Sequence, residues 1–317
     1  MKKLLALFIS TVMVFALSGC EKYSDYREIE TRLFVSAIGI DETASGITLY
    51  AESVASNTAS GGYKSSVLSS TADTIPEALD GIKNASPLSL DLSPCAVIIL
   101  GKRQENTEKT LCEYLLLRPE NMLSCYIVAC DNAGELMSQS SDTPIGYSLS
   151  NALKKNDYSG GKRTQSTLLD ILNNPKAFYL PYFKPDGNTY TYSGAAYYKG
   201  TERICLKNTN EARMITLLSG MFYRGQIMLG GQSVNIKNTD FTQKISGNTI
   251  DINLSLDLYG DIDSLSFENE LLRILKEWKE DYKANVFGYC NGGEPLTDSE
   301  FSAKKTHLTL KLRQSNN

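Results

Sequence analysis

TIDINLSLDL, residues 249–258, alternates without a break, with Ile250, Ile252, Leu254, Leu256 and Leu258 on one side and Asp251, Asn253, Ser255 and Asp257 on the other. Successive side chains of a strand point to opposite faces, so this segment is a strand with one face in a core and one in water. Downstream, Phe267 to Ala284 reads as the longest helix, with Leu271, Ile274, Leu275, Trp278 and Tyr282 on one stripe and charges opposite. Thr306 to Leu312 then resumes the two-residue period through Leu308, Leu310 and Leu312. Half-buried strands beside a one-sided helix predict an α+β fold, with mixed sheets and helices packed on them.

The same reading extends toward the N-terminus. Arg32 to Ile40 and Ile47 to Val54 form a predicted hairpin around the polar, Gly-closed loop Asp41 to Gly46. Gly61-Gly62 interrupts a Ser-rich connector that the sequence offers no reason to order strongly. Thr74-Ile75-Pro76-Glu77 opens a helix through Leu79 and Ile82, since Thr74 and Glu77 have capping-box spacing and Pro76 suits the first turn. Cys95 to Leu100 is a strand, Glu105 to Leu117 a helix stopped by Pro119, Met122 to Cys130 a strand, and Asn132 to Met137 a short helix. Residues 141–190 break this rhythm with Pro144, Pro175, Pro181, Pro185 and the turn Gly160 to Arg163, leaving one helix around Thr167 to Leu172. A domain boundary is therefore expected near residue 190, giving a signal peptide (1–19), an N-terminal domain (20–190, with room for two subdomains) and a C-terminal domain (191–317). The C-terminal part opens with a hairpin, Tyr190 to Tyr198 and Arg203 to Leu206, and a helix from Asn210 to Ser219 ended by Gly220.

At the N-terminus, Lys2 and Lys3 precede an apolar run from Leu4 to Ala16, followed by Leu17-Ser18-Gly19-Cys20. The run is shorter than the roughly 20 residues a spanning helix needs, and the pattern is that of a signal peptide. Its L-S-G-C ending is a lipobox, so Cys20 is expected to carry a diacylglyceryl group and to become the first residue of the mature chain. Two acyl chains make a stable anchor where one binds only marginally. Loss of residues 1–19 moves the formal net charge from −4 to −6, and no basic block longer than two follows, which argues against nucleic acid as a partner.

Six cysteines follow Cys20: Cys95, Cys112, Cys125, Cys130, Cys205 and Cys290. An exported chain permits disulfides. Five strand steps at about 3.3 Å put Cys125 and Cys130 about 16 Å apart on opposite faces, so these two cannot bridge. Buried free thiols are the expected state of the set. With no C-x-x-C pair and a single histidine, His307, a zinc site is not expected.

No catalytic set emerges. His307 falls on the polar side of the last strand and no G-x-S-x-G elbow supplies a serine. Ser159 to Lys162 and Ser302 to Lys305 match S-x-x-K without supporting motifs and read as loop. Gly161-Lys162 has Asn156 and Arg163 where a phosphate loop needs glycine and a hydroxyl residue. Asp261-Ile262-Asp263 lacks the calcium-loop glycine at Ser266 and reads as a turn before a helix N-cap at Ser264 or Ser266. Trp278 reads as core. No catalytic residue, metal ligand or cofactor is assigned, and no residue is assigned to a ligand.

Several ordered blocks carry a family resemblance. Arg27-Glu28-Ile29-Glu30 leads into Ala37-Ile38-Gly39-Ile40-Asp41; Ile75 to Leu79 and Val97 to Gly101 follow; then come Gly194 to Lys199, Glu211-Ala212-Arg213 with Leu217, Leu218 and Gly220, and Lys283 to Gly288. With the lipobox, this order resembles the Ger(x)C family, the lipoprotein C subunits of spore germinant receptors, along nearly the whole mature chain. Glu21 departs from the family's tryptophan after the lipid cysteine, and the segment after Gly288 is short and lacks its tryptophans. The resemblance implies a non-enzymatic subunit, anchored through Cys20 on the extracytoplasmic face of the spore inner membrane, beside polytopic A and B subunits. The alternative is a solute-binding lipoprotein of an uptake system, which would need a cleft between two similar lobes.

Overall fold

Seven consecutive residues, Val35 to Asp41, are buried on both faces of β1 (Arg32–Thr43), which marks it as a central strand. In this computed structural model, residues 31–43, 45–57, 62–101, 123–139, 143–155, 166–173, 177–200, 202–259 and 262–314 are described. After β1 come β2 (Gly46–Asn57), β3 (Gly62–Ala72), α1 (Ile75–Ala85), β4 (Ser89–Asp91), β5 (Val97–Leu100), β6 (Tyr126–Ala129), α2 (Ala133–Met137) and α3 (Ile145–Lys155). They are followed by β7 (Ser166–Thr167), α4 (Leu168–Asn173), β8 (Ala177–Asp186), β9 (Thr189–Lys199), β10 (Glu202–Lys207) and α5 (Thr209–Leu218). The last elements are β11 (Gly225–Leu229), β12 (Gln232–Ser246), β13 (Thr249–Tyr259), α6 (Ser264–Glu280), β14 (Cys290–Asn291), β15 (Glu294–Pro295), α7 (Asp298–Ala303) and β16 (Lys305–Gln314).

The larger sheet has ten strands in the order β10-β9-β8-β6-β5-β1-β2-β3, with β4 on β1 and β7 on β6. It is mixed: β5 runs parallel to β1 and β6, while β1-β2-β3 and β8-β9-β10 are antiparallel. One face packs Ile38, Ile40 and Leu49 against Ile75, Leu79 and Ile82 of α1. The other packs Ala37, Val97, Ile99 and Val128 against α2 and α3 through Leu136, Met137, Leu149 and Leu153. The smaller sheet, β11-β12-β13-β16, buries the alternating face of β13 against Phe267, Leu271, Ile274 and Trp278 of α6. Parallel pairing of β13 with β16 requires a crossover, and α6 and α7 supply it.

A third core joins the sheets. Ala177, Ala195 and Tyr197 of the large sheet pack with α5, α6 and the small sheet in one cluster. Tyr197 and Trp278 lie with ring centroids 4.9 Å apart, and neither side chain is exposed. Gly194 allows the close approach of β10 that this junction needs, since its φ of +126° disfavours a side chain and a Cβ there would meet the Lys207 carbonyl.

The α+β class stands, with mixed sheets and packed helices. Thr74 caps α1, Gly220 follows α5 at φ +72°, and Cys125 and Cys130 fall in cores on opposite faces. Three segments differ from expectation. The Ser-rich connector is β3, an edge strand paired with β2 from Ile47↔Ala72 to Asn57↔Gly62. Its partner supplies the order, through backbone pairing and cross-strand hydroxyl contacts such as Ser53 to Ser66 and Thr48 to Thr71, so no apolar alternation is required. Residues 145–155 form α3, and the Pro-containing segment 177–186 forms β8. Proline is tolerated in β8 because its second edge is little used, meeting β6 at a single register pair, Ala129↔Tyr182. The expected division at residue 190 falls in the β8–β9 hairpin, which pairs from Ala177↔Lys199 to Asp186↔Thr189. The predicted helix 105–117 and the turn 160–163 lie outside the described residues.

Trp278 is fully buried and touches Tyr197, Tyr282 and Phe287. Trp278→Ala is expected to cost about 3–5 kcal/mol. Urea unfolding followed by circular dichroism measures it, as a lower midpoint at unchanged slope.

Candidate functional site

Two carboxylates sit deep in the large sheet, and both receive backbone amides at the start of a helix. Asp41, at the end of the buried run of β1, is 5% exposed; it accepts from Ala133 N at 2.7 Å and Gly134 N at 3.0 Å, at the start of α2. Glu52, on β2, is 3% exposed and accepts from Ile145 N at 2.8 Å and Gly146 N at 3.0 Å, at the start of α3. The Ser36 hydroxyl adds a third donor to Glu52 at 2.5 Å. First-turn amides have no partner within their own helix and carry the positive end of its dipole, so an ionised carboxylate satisfies them well. Burying a carboxylate is costly unless it is hydrogen-bonded in this way.

The surrounding residues are shaped to these contacts. A Cβ at Gly39 would run into the Met137 sulfur, and one at Gly146 would run into the Ser36 carbonyl. Tyr50 hydrogen-bonds Asp41, and its hydroxyl is raised above the ordinary range by burial first and then by that charge. Asp41 and Glu52 thus have their oxygens occupied by fixed donors. Chemically the arrangement holds two helices onto one face of the sheet.

A cleft of about 590 Å³ opens between α5, the β11–β12 turn and the start of α6. Its main polar groups are already engaged. Asn210 bridges both backbone groups of Met228, at 2.8 and 2.6 Å, Asp263 receives Leu265 N and Ser266 N as the cap of α6, and Glu270 pairs with Arg273 through both oxygens.

Cys20 lies outside the described residues, as do Ser159, Lys162 and Asp261. His307 stands on the outer face of β16 with Nδ1 3.3 Å from Asp251 Oδ1, both side chains well exposed. Ser302 lies in the last turn of α7 and Lys305 starts β16, so their S-x-x-K match spans a helix–strand junction. The cap of α6 is Asp263 rather than Ser264 or Ser266, the two expected, because its carboxylate reaches both Leu265 N and Ser266 N. Trp278 is core, as read. Among the described residues no group of three or more His, Cys, Asp or Glu stands together as a metal site, and no helix is long and apolar enough to cross a membrane. Glu52 escaped the sequence reading; its only signal is one acidic residue amid Ala51, Ser53 and Val54 in a half-apolar strand.

The blocks singled out in the sequence have structural roles. Gly39 and Asp41 seat α2, Gly194 passes β10, and Glu211 completes a capping box with Asn208 on α5. Asn285, 6% exposed, donates to the Tyr289 and Leu296 carbonyls and accepts from Tyr289 N, tying together the chain after α6. Asp41→Ala leaves two buried amides without an acceptor and is expected to cost about 2–5 kcal/mol. Chemical denaturation measures the loss, and faster hydrogen exchange at Ala133 and Gly134 locates it.

The profile of the "Spore germination protein N-terminal domain" matches residues 25–185. No curated protein matches the chain. The crystal structure of the GerBC protein aligns with 88% of this chain and 97% of that chain, at 16% identity and a TM-score of 0.47. With the matched domain taking up more than half of its length, the chain belongs to the Ger(x)C spore germination protein family.

Proposed function

We propose that the chain is the lipid-anchored C subunit of a nutrient germinant receptor, acting without catalysis on the extracytoplasmic face of the spore inner membrane through contact with polytopic A and B subunits. The observation that carries this reading is a lipobox ending at Cys20 immediately before a spore germination domain at residues 25–185. β1 begins twelve residues after Cys20, so a diacylglyceryl group on that thiol keeps the start of β1 within about 40 Å of the bilayer surface. Held there, the body meets its membrane partners at high effective concentration without needing tight pairwise affinity.

The absence of an activated nucleophile in the sequence supports a role in coupling. The solute-binding alternative needs a cleft between two similar lobes. Here the two sheets have ten and four strands, and Tyr197, Trp278 and the apolar faces of α5 and α6 fill the space between them.

Cys20→Ala is expected to abolish lipid labelling, since the thiol is the acyl acceptor of the lipobox. Metabolic labelling with a fatty acid analogue reads this directly, and normal labelling of the mutant would remove the anchor from the proposal. Deleting the gene is expected to abolish germination triggered by that receptor's nutrient, and to lower the abundance of the partner subunits, while germination by routes that bypass the receptor persists. Spore optical density after nutrient addition measures it. Unchanged germination in the deletion strain, together with tight binding of an amino acid or sugar by the protein, would support the uptake reading instead.

A further inference from the structure

Cys95 and Cys125 are separated by 30 residues in the chain and meet in the core of the large sheet, with their sulfurs 3.9 Å apart. The register explains the meeting. Val97 of β5 pairs with Tyr126 of β6, which brings Cys95, two residues before β5, close to Cys125, one residue before β6, and Tyr126 N donates to the Ala96 carbonyl at 3.0 Å. Each backbone is held on its other side as well: Cys95 N donates to the Leu92 carbonyl and Leu168 N to the Cys125 carbonyl. Both thiols enter the same apolar cluster with Ile98, Ile127 and Leu168. Cys130 lies in the core on the opposite face, Cys205 borders the third core, and Cys290 stands in β14.

We infer that Cys95 and Cys125 are a disulfide-forming pair, which a disulfide oxidant converts into an internal bridge linking the starts of β5 and β6. A disulfide requires sulfurs about 2.0 Å apart, so the two must close by roughly 1.9 Å, a distance within reach of side-chain rotation while the paired backbone stays in place. In the exchange, one cysteine reacts as thiolate with a sulfur of the oxidant disulfide and releases one thiolate. The second cysteine then displaces the other half of the oxidant from the mixed disulfide. Two protein thiols and one oxidant disulfide give one protein disulfide and two small thiols; the two electrons and the two protons leave with the oxidant.

The pair is slow to react in the folded chain. Cys95 is 7% and Cys125 2% exposed, and the Cys125 thiol is held well above its ordinary range, first by its hydrogen bond with Cys95 and then by burial. The attacking thiolate is therefore scarce at neutral pH, and reaction waits on local opening at the ends of β5 and β6. Once formed, the bridge closes a loop spanning Cys95 to Cys125 and restricts the unfolded chain. Its formation within cells rests on the exported location proposed above, where the reducing pool of the cytosol is absent; its chemistry does not.

Full-length protein, purified in detergent and fully reduced, tests the pair with oxidised glutathione as the oxidant. After incubation to equilibrium, alkylation under denaturing conditions and peptide mass spectrometry are expected to show Cys95 joined to Cys125, with Cys130 alkylated. The oxidised protein is expected to melt roughly 5–10 °C higher than the reduced one, a shift that Cys95→Ala and Cys125→Ala each remove and Cys290→Ala retains. Should either alanine variant fail to fold, the joined peptide in the unmutated chain still decides. Both thiols alkylated at equilibrium, or either one joined to a different cysteine, would overturn the inference. Because the reaction is run on isolated protein, its outcome is separate from that of the Cys20 labelling experiment.

Discussion

A carboxylate buried in a sheet must find donors, and in this chain Asp41 and Glu52 find them in the first amides of α2 and α3. Each exchange solves two problems at once. The carboxylate loses water but gains fixed donors, and the helix start gains an acceptor that its own turns cannot provide. Since α2 has only five residues, its stability cannot come from its own hydrogen bonds. Asp41 and the apolar contacts of Leu136 and Met137 hold it in place. Much of what lies over that face of the large sheet follows from these two acids.

The junction between the sheets obeys a different constraint. Here the chain brings in aromatic bulk, Tyr197 from β9 and Trp278 from α6, and surrounds it with the apolar faces of α5 and β13. Lys207 at the end of β10 reaches Glu277 at 2.5 Å and Glu211 at 3.6 Å, placing one ammonium between two helices. Burial alone would lower that ammonium's pKa, but the two carboxylates hold it above its ordinary range. A paired, partly buried charge of this kind is weak evidence for stability, but it ties β10, α5 and α6 together through one ammonium. The large and small sheets thereby share a continuous core, and residue 190 lies inside a hairpin of the large sheet.

The chain is a member of a spore germination family, and the coupling role proposed above asks of it a firmly packed body. Among the described residues, several charged side chains are engaged in capping and pairing. Asp263 caps α6, Glu270 is occupied by Arg273, and His307 sits in an exposed cross-strand pair.

Much of the fold was legible in the sequence wherever one residue period ran uninterrupted. The alternation of residues 249–258 gave β13, the stripe through Trp278 gave α6, and Thr74 marked the start of α1, all because these features depend on neighbours in the chain. Tertiary structure alone decided the rest. β3 is a strand because β2 pairs with it, β8 keeps its prolines because its far edge is little used, and Glu52 matters because residues 145 and 146 bring amides to it from more than ninety positions away. Cys95 and Cys125 likewise became neighbours only through the parallel register of β5 and β6. A local pattern records what a residue needs, and long-range pairing determines which distant residue meets that need.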